Sequence, residues 1–189
     1  MKIGLDLDNT IVCYDKSLQV AAQERNLTPP TAEKDIRKWF KKSLPAKAWT
    51  ELQGTIYGPL MYLANPFSYL ELFLTYCLSK NHLLFIISHK TKTPSEGPPY
   101  DLHEYARQWL KNYSFLKDIP VFFEPTVEDK IQRIHSLRCS CFIDDLPLLL
   151  LHHTFCPNIK KILFDPHNTH PNDSFYAKIS SWKEALSLV

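Results

Sequence analysis

The hydrophobic positions of the chain fall into short apolar runs that alternate with stretches of helical spacing. Most of the runs are apolar on both faces, as strands are in a parallel sheet covered by helices. The runs are Lys2–Leu7, Leu83–Ile87, Pro120–Phe123, Ser140–Ile143 and Lys161–Phe164. The stretches of helical spacing are Pro66–Ser79, Asp101–Asn112, Val127–Ser136, Pro147–His153 and Trp182–Leu188. This alternation predicts βαβ crossovers and an α/β fold, a Rossmann-like three-layer αβα sandwich with a parallel sheet.

One segment, residues 12–65, breaks the alternation. It contains no convincing strand, but Ile36, Trp39, Phe40 and Leu44 recur at helical spacing. We therefore expect a core domain made of residues 1–11 and 66–189. Residues 12–65 are expected to form a small helical cap insertion over the strand ends, where ligands bind in such sheets.

The glycine count removes two common ways of binding phosphate. The 189 residues include 4 glycines, Gly4, Gly54, Gly58 and Gly97, and no two of them are separated by a single residue. The sequence therefore contains neither a G-x-G-x-x-G dinucleotide loop nor a G-x-x-x-x-G-K-[ST] loop. Any phosphate that this protein binds is therefore not held by a glycine-rich loop.

The net charge and the cysteines indicate which binding partners and which cellular compartment to expect. The formal net charge is +2, which gives no general reason to expect nucleic acid or an anionic membrane as a partner. Pro66 and Glu71 interrupt the apolar stretch 61–78, so we expect no membrane span. Five scattered cysteines are typical of free thiols in a reducing compartment, and Asp6 and Asp8 argue against a signal peptide. These features predict a cytoplasmic protein.

Acidic, hydroxyl and basic residues stand at or just beyond the ends of the predicted strands. The first strand runs into the sequence Asp6-Leu7-Asp8-Asn9-Thr10, and alternate residues of an extended strand share a face, so the two acids can line one cavity. Ser88 follows the second strand directly, and Asp144-Asp145 follows the fourth. The ordinary alternatives are a solvated strand end for the first acids, a turn serine, and a helix cap for Asp145.

Lys130 lies in the first turn of the helix that Thr126 is expected to cap. A lysine there opposes the positive end of the helix dipole, which favours an anionic partner nearby. The alternative is a lysine that faces solvent.

These residues together resemble the four motifs of the haloacid dehalogenase (HAD) superfamily. The resemblance covers most of the chain outside the insertion, which stands where that family carries its C1 cap. The motif residues are Asp6, Asp8 and Thr10, then Ser88, then Lys130, then Asp144 and Asp145. The family often has a further acid after the last motif, where this chain has Leu148–Leu150. Which of Asp144 and Asp145 binds a metal directly therefore stays open.

The resemblance implies a phosphatase that works through an aspartyl-phosphate. Asp6 would be the nucleophile and Asp8 the acid and base, with Thr10, Ser88 and Lys130 binding the phosphoryl group. The implied metal ligands are Asp6, the backbone carbonyl of Asp8, Asp144 and Asp145. Physical chemistry independently favours a cation, because carboxylates about 4 Å apart repel by about 1 kcal/mol even in water. Mg²⁺ with carboxylates and waters suits this chemistry.

Weaker signals surround these motifs. His89 and Lys90 follow Ser88 and are candidate substrate contacts. Cys139, Cys141, His152, His153 and Cys156 suggest zinc, but buried free cysteine is the favoured interpretation. The basic segment 34–47 is interpreted as the solvent face of a helix rather than a substrate-steering surface, and the segment 165–173 as a polar loop.

The predicted function is hydrolysis of a small phosphorylated metabolite, either a sugar phosphate or a nucleotide. A dehalogenase would need neither Asp8 nor the pair Asp144 and Asp145. A nucleic-acid end phosphatase would have only the cap's basic residues for binding. A receiver domain also combines acids, a hydroxyl and a lysine, but its acid pair ends the first strand. A non-catalytic scaffold is the remaining alternative.

Overall fold

The computed structural model describes residues 1–30 and 35–189. The strands of the described residues are β1 Lys2–Leu5, β2 Val12–Cys13, β3 Asn65–Pro66, β4 Leu83–His89, β5 Val121–Glu124, β6 Cys141–Asp144, β7 Lys160–Phe164 and β8 Ala177–Ile179. The α-helices are α1 Asp15–Glu24, α2 Ile36–Ser43, α3 Ala46–Tyr57, α4 Leu70–Ser79, α5 Leu102–Lys111, α6 Val127–Ser136, α7 Pro147–Leu150 and α8 Trp182–Ala185. Short 3₁₀ turns occur at Met61–Leu63 and Ser114–Leu116.

Six strands form one sheet in the order β5-β4-β1-β6-β7-β8, and every neighbouring pair is parallel. Helices flank this sheet, so the predicted α/β fold with a parallel sheet is confirmed. The chain moves outward from β1 through β4 to β5 and then returns to the other side of β1 at β6. The strand order therefore reverses at β1, and open α/β sheets bind ligands beyond the carboxyl ends at such a reversal.

The described chain forms two compact units. The first contains residues 1–12, 66–90 and 115–189, and the second contains 13–65 and 91–114. The second unit thus includes the expected insertion and, in addition, a segment with α5 that the strand–helix alternation had suggested for the core. Within that unit, the indole of Trp109 on α5 donates a hydrogen bond to the carbonyl of Ala64 over 2.9 Å. This contact joins residues that are 45 positions apart, so local periodicity does not predict it.

Aromatic side chains hold the second unit together. The rings of Tyr14 and Tyr57 lie 4.9 Å apart, and those of Phe40 and Trp49 lie 6.2 Å apart. Phe40 is the buried residue of α2, whereas Lys41 and Lys42 are exposed, as expected for a basic face in solvent. Lys34, the first residue of the basic segment, lies outside the described residues.

The core of the first unit depends on one close approach between strands. Phe142 of β6 is fully buried, and a Cβ built on Gly4 of β1 would lie 2.5 Å from its ring. Only glycine leaves room for that ring beside β1. The same ring lies 5.4 Å below the ammonium of Lys130, so the packing of the core reaches directly to a candidate site residue.

Several element boundaries differ from the predictions. The helix predicted from Pro66 begins at Leu70, because Tyr69 has a left-handed φ of 67° and ends the extended segment before it. The helix predicted over Pro147–His153 ends at Leu150. Strands β2, β3 and β8 were not predicted: β2 and β3 have only two residues each, and the three residues of β8, which include Lys178, show no apolar run. Because β8 pairs with β7, β7 is not an edge strand of the sheet.

The cysteines and the loop after β7 lie outside the candidate site. Cys77, Cys139 and Cys141 are buried, Cys13 and Cys156 are half-buried, and none of the five forms a disulfide. The polar loop after β7 is organised by buried Asp165, which accepts hydrogen bonds from the backbone of Thr169 and His170. Across residues 1–30 and 35–189, no helix combines the length and apolar character that crossing a membrane requires.

Candidate active site

The end of β1 places Asp6 and Asp8 at the centre of the sheet. The backbone N–H of Asp6 donates to the carbonyl of Ile143 on β6 over 2.9 Å, so Asp6 still follows the sheet ladder. Asn9 then adopts a left-handed φ of 63°, and its N–H donates to the carbonyl of Val12 over 3.0 Å. The chain therefore turns sharply just beyond β1, and Asp8 lies in that turn.

Lys130 of α6 connects the ends of β1 and β6. Its Nζ donates to Asp6 Oδ1 over 2.5 Å and to Asp144 Oδ2 over 2.7 Å, and its side chain is only 2% exposed. Thr126 caps α6 by accepting from the N–H of Asp129, as predicted, and this cap fixes the turn that carries Lys130. The helix dipole disfavours a cation at this end, and two buried carboxylates provide the compensating charge.

At the end of β6, both carboxylate oxygens of Asp144 accept hydrogen bonds from the protein. Asp144 Oδ1 accepts from the N–H of Leu146 over 2.8 Å, while Oδ2 accepts from Lys130, so both of its oxygens bind protein donors. Asp145 is not the N-cap residue of α7, because the N-cap position is Leu146. The cap interpretation of Asp145 is therefore wrong.

Three carboxylates are close enough to share one cation. One oxygen each from Asp6, Asp144 and Asp145 lies within 4.8 Å of the other two, and all three residues are buried. Of the residues that the structure describes, these are the only His, Cys, Asp or Glu side chains grouped in this way. Hard oxygen donors at this spacing fit Mg²⁺, which prefers carboxylates.

The electrostatics show why a cation is favoured there. Burial, opposed by Lys130 and assisted by the carboxylates of Asp144 and Asp8, raises the pKa of Asp6 to about 7. Burial also raises the pKa of Asp144. Burial alone would lower the pKa of Lys130, but the carboxylates of Asp144 and Asp6 raise it above its ordinary value. Lys130 therefore stays charged, yet the carboxylates remain incompletely compensated.

Two predicted phosphate-binding hydroxyls are buried without a partner. Thr10 Oγ1 and Ser88 Oγ form no hydrogen bond to any described residue, although both side chains are buried. An unpaired buried hydroxyl costs about 1–3 kcal/mol, so it is seldom retained without a use. The backbone carbonyl of Thr10 accepts a hydrogen bond from the indole of Trp182 over 3.2 Å.

His89 and Lys90, the two candidate substrate contacts, differ in burial and in hydrogen-bond partner. Lys90 is buried, and its Nζ donates to Asp8 Oδ2 over 2.6 Å. His89 is exposed, and its Nε2 lies 3.1 Å from the carbonyl of Pro125 in the β5–α6 connection. The structure thus brings Lys90 to the acidic residues but directs the contact of His89 to the backbone.

Sequence reasoning missed two supporting groups. Trp182 and the N–H of Leu146 hold Thr10 and Asp144, respectively. Leu146 had a signal, because a proline follows it and marks a helix start. Trp182 had none, since its contact spans 172 positions of the chain.

Comparison with solved structures identifies the fold. The chain is similar to a haloacid dehalogenase-like hydrolase, SP0104, from Streptococcus pneumoniae, with 19% identity, a TM-score of 0.64, and coverage of 99% of this chain and 97% of that one. It is also similar to a predicted phosphoglycolate phosphatase from Haemophilus somnus, with 12% identity, a TM-score of 0.61 and coverage of 99% and 96%.

A third similar structure contains a metal. The putative HAD-hydrolase YfnB from Bacillus subtilis, bound to magnesium, has 14% identity, a TM-score of 0.54, and coverage of 99% of this chain and 97% of that one. No family model and no curated protein matches the sequence. The protein therefore has the haloacid dehalogenase-like fold.

Proposed function

We propose that the protein is a Mg²⁺-dependent phosphomonoester hydrolase that acts on a small phosphorylated metabolite. The observation that carries the proposal is the meeting of Lys130 with Asp6 and Asp144 at the carboxyl ends of β1 and β6. A buried nucleophile, a buried cation and a cluster of carboxylates are the components that phosphoryl transfer requires. The proposal includes action in the cytoplasm, in keeping with the free cysteines.

Asp6 is the nucleophile in this proposal. One of its carboxylate oxygens forms a bond to phosphorus while the bond from phosphorus to the leaving oxygen breaks. The leaving oxygen takes the proton that Asp8 carries, which gives the free alcohol and an aspartyl-phosphate on Asp6. Water then attacks phosphorus and gives a proton to Asp8, and inorganic phosphate leaves as the Asp6 carboxylate is restored.

Three side chains hold the phosphoryl oxygens. Ser88 and Thr10 supply hydroxyl donors that no described residue occupies, and Lys130 supplies positive charge. Donors that are fixed before the reaction stabilise the negative charge that develops in the transition state. These side chains replace the amides of a glycine-rich loop, which this chain lacks.

Mg²⁺ would bind Asp6, Asp145 and the backbone carbonyl of Asp8. Asp144 would hold Lys130 and would not bind the ion directly, because both of its oxygens already accept hydrogen bonds. When bound, Mg²⁺ neutralises the carboxylates and polarises a phosphoryl oxygen.

The proposed substrate is a small phosphomonoester. The resemblance assigns substrate choice to the insertion, residues 12–65, with either a sugar phosphate or a nucleotide as the candidate. His89, which follows Ser88 in the chain, is a candidate substrate contact.

The test is a panel of phosphomonoesters, including an aryl phosphate, sugar phosphates, nucleotides and a 5′-phosphorylated oligonucleotide, assayed with Mg²⁺, Mn²⁺ or Co²⁺. We expect turnover that is lost in Asp6→Asn and kept in the surface variant Lys92→Met, whose lysine is 71% exposed. Absence of turnover with every ester and metal would refute the proposal. Halide release from a 2-haloacid, without phosphate release, would favour a dehalogenase.

A further inference from the structure

The site contains a second buried lysine that the four motifs do not account for. The side chain of Lys90 is 2% exposed, and its Nζ lies 2.6 Å from Oδ2 of Asp8, whose side chain is 15% exposed. Lysine is almost never fully buried unless it is paired. Lys90 therefore has a defined partner, and that partner is the residue proposed to move the proton.

The backbone fixes both members of the pair. Strands β1 and β4 are adjacent and parallel, with Leu5 opposite Ile86, so the residues that follow them emerge side by side. The N–H of Lys90 donates to the carbonyl of Glu124 over 2.9 Å, which ties it to β5. Asp8 lies in the turn after β1 and bridges to Val12. The pair therefore joins the segments that follow two adjacent strands, and backbone hydrogen bonds hold both segments.

The two buried lysines contact different carboxylates of the site. Lys130 contacts Asp6 and Asp144, whereas Lys90 contacts Asp8. Lys90 thus supplies charge where Lys130 does not donate a hydrogen bond. A carboxylate without such a contact could rotate about its side-chain bonds, and a misplacement of about 1 Å can reduce a rate by about a hundredfold.

We propose that Lys90 is a positioning residue that fixes the carboxyl group of Asp8 for proton transfer to the leaving oxygen. The proposal rests on the proposed phosphatase function and adds a residue to it. In the transfer, the bond from phosphorus to the leaving oxygen breaks, and the proton on Asp8 passes to that oxygen. Lys90 keeps all of its own protons and acts only through the orientation of Asp8.

Substrates that differ in leaving group separate this role from substrate binding. An alkyl phosphate leaves as a strongly basic alkoxide and needs the proton, whereas an aryl phosphate such as p-nitrophenyl phosphate leaves as a stable phenolate and needs it little. General acid catalysis contributes about 10²–10⁴-fold. Hydrolysis of the aspartyl-phosphate also uses Asp8 and is common to both esters, so the comparison uses kcat/KM, which reports only the steps up to release of the leaving group. We expect Lys90→Met to lower kcat/KM for the alkyl ester by about a hundredfold and for the aryl ester by less than about tenfold.

Lys92→Met is the matched control, since it removes a lysine two positions away whose side chain is 71% exposed. It should change neither rate. Lys90→Arg keeps the charge and should restore part of the alkyl rate.

Since Lys90→Met leaves a charge buried, a second comparison does not depend on that variant folding. Asp8→Asn is compared with the double variant Asp8→Asn/Lys90→Met, which removes both members of the pair. If Lys90 acts through Asp8, the double variant has the alkyl rate of Asp8→Asn. A further loss of tenfold or more in the double variant would overturn the proposal.

An equal loss of kcat/KM for both esters would also overturn it and would identify Lys90 as a direct substrate ligand. Failure of the wild-type protein to hydrolyse any ester would instead refute the phosphatase function on which the proposal rests. The wild-type rates thus separate the two failures.

Discussion

Replacing Lys130 by methionine tests the central charge arrangement of the site. Methionine is apolar and of similar length, so the substitution removes the ammonium with little change in volume. Lys130 Nζ lies 2.5 Å from Asp6 and 2.7 Å from Asp144, and its side chain is 2% exposed. With an effective dielectric constant of about 20, each contact contributes about 6 kcal/mol of attraction before desolvation is subtracted.

The net effect is smaller than this attraction but still large. Breaking a buried ion pair by removing one partner costs about 3–5 kcal/mol, because the remaining charge stays buried without compensation. For a chain of 189 residues, 1 kcal/mol corresponds to about 2–4 °C in the melting temperature. We therefore expect Lys130→Met to lower the melting temperature by about 6–20 °C in the absence of metal, and to abolish turnover.

Urea unfolding followed by circular dichroism measures the free energy of unfolding. Lys92→Met is the control, since Lys92 lies 3.6 Å from Asp101 at the surface, where ion pairs contribute about 0–1 kcal/mol. The double variant Lys130→Met/Asp144→Asn should regain part of the loss, because one of the two uncompensated charges is then removed. If Lys130→Met lies within about 1 kcal/mol of the wild type, Lys130 does not compensate these carboxylates and the assignment fails.

Two further predictions concern the metal and the loop after β7. Asp145→Asn should abolish the stabilisation by Mg²⁺, which for the wild type is about 2.7 kcal/mol at a hundredfold excess over Kd, measured as a melting-temperature shift beside the exposed control Asp118→Asn. Asp165→Asn should cost about 1.5–3 kcal/mol in urea unfolding at neutral pH, because its carboxylate accepts from the N–H groups of Thr169 and His170 over 2.9 and 2.8 Å.

The pH dependence of the second prediction follows from the pKa of Asp165. Burial raises this pKa, but the hydrogen bonds from the backbone of Thr169 and His170 outweigh burial and hold it below its ordinary value. A lowered pKa gives stability that is present above the ordinary value and lost as the pH falls through the folded value. The difference between wild type and Asp165→Asn should therefore shrink in acid, and a constant difference would contradict the assignment. Retained Mg²⁺ stabilisation in Asp145→Asn would likewise remove Asp145 from the metal ligands.

Local pattern was sufficient for five of the six strands of the sheet and for helix α6. Helix α6 spans Val127–Ser136 as predicted, because Thr126 caps it and its apolar spacing continues to its end. Pattern failed at β8, which is short and contains Lys178, and at the start of α4, where Tyr69 adopts a left-handed φ that no apolar periodicity records. Short strands and single backbone torsions are stabilised by their neighbours, so their own residues carry little signal.

The sequence by itself determined the α/β class and the chemistry available at the strand ends. Both follow from local order: apolar alternation predicts the strands, and the acids after Leu5 and Ile143 must then lie at carboxyl ends. Tertiary structure alone decided which groups meet. Lys130 and Asp6 are 124 positions apart, and Lys90 and Asp8 are 82 apart. Such pairs depend on the order of strands in the sheet, which is set by the packing of the whole core and is not contained in any local period.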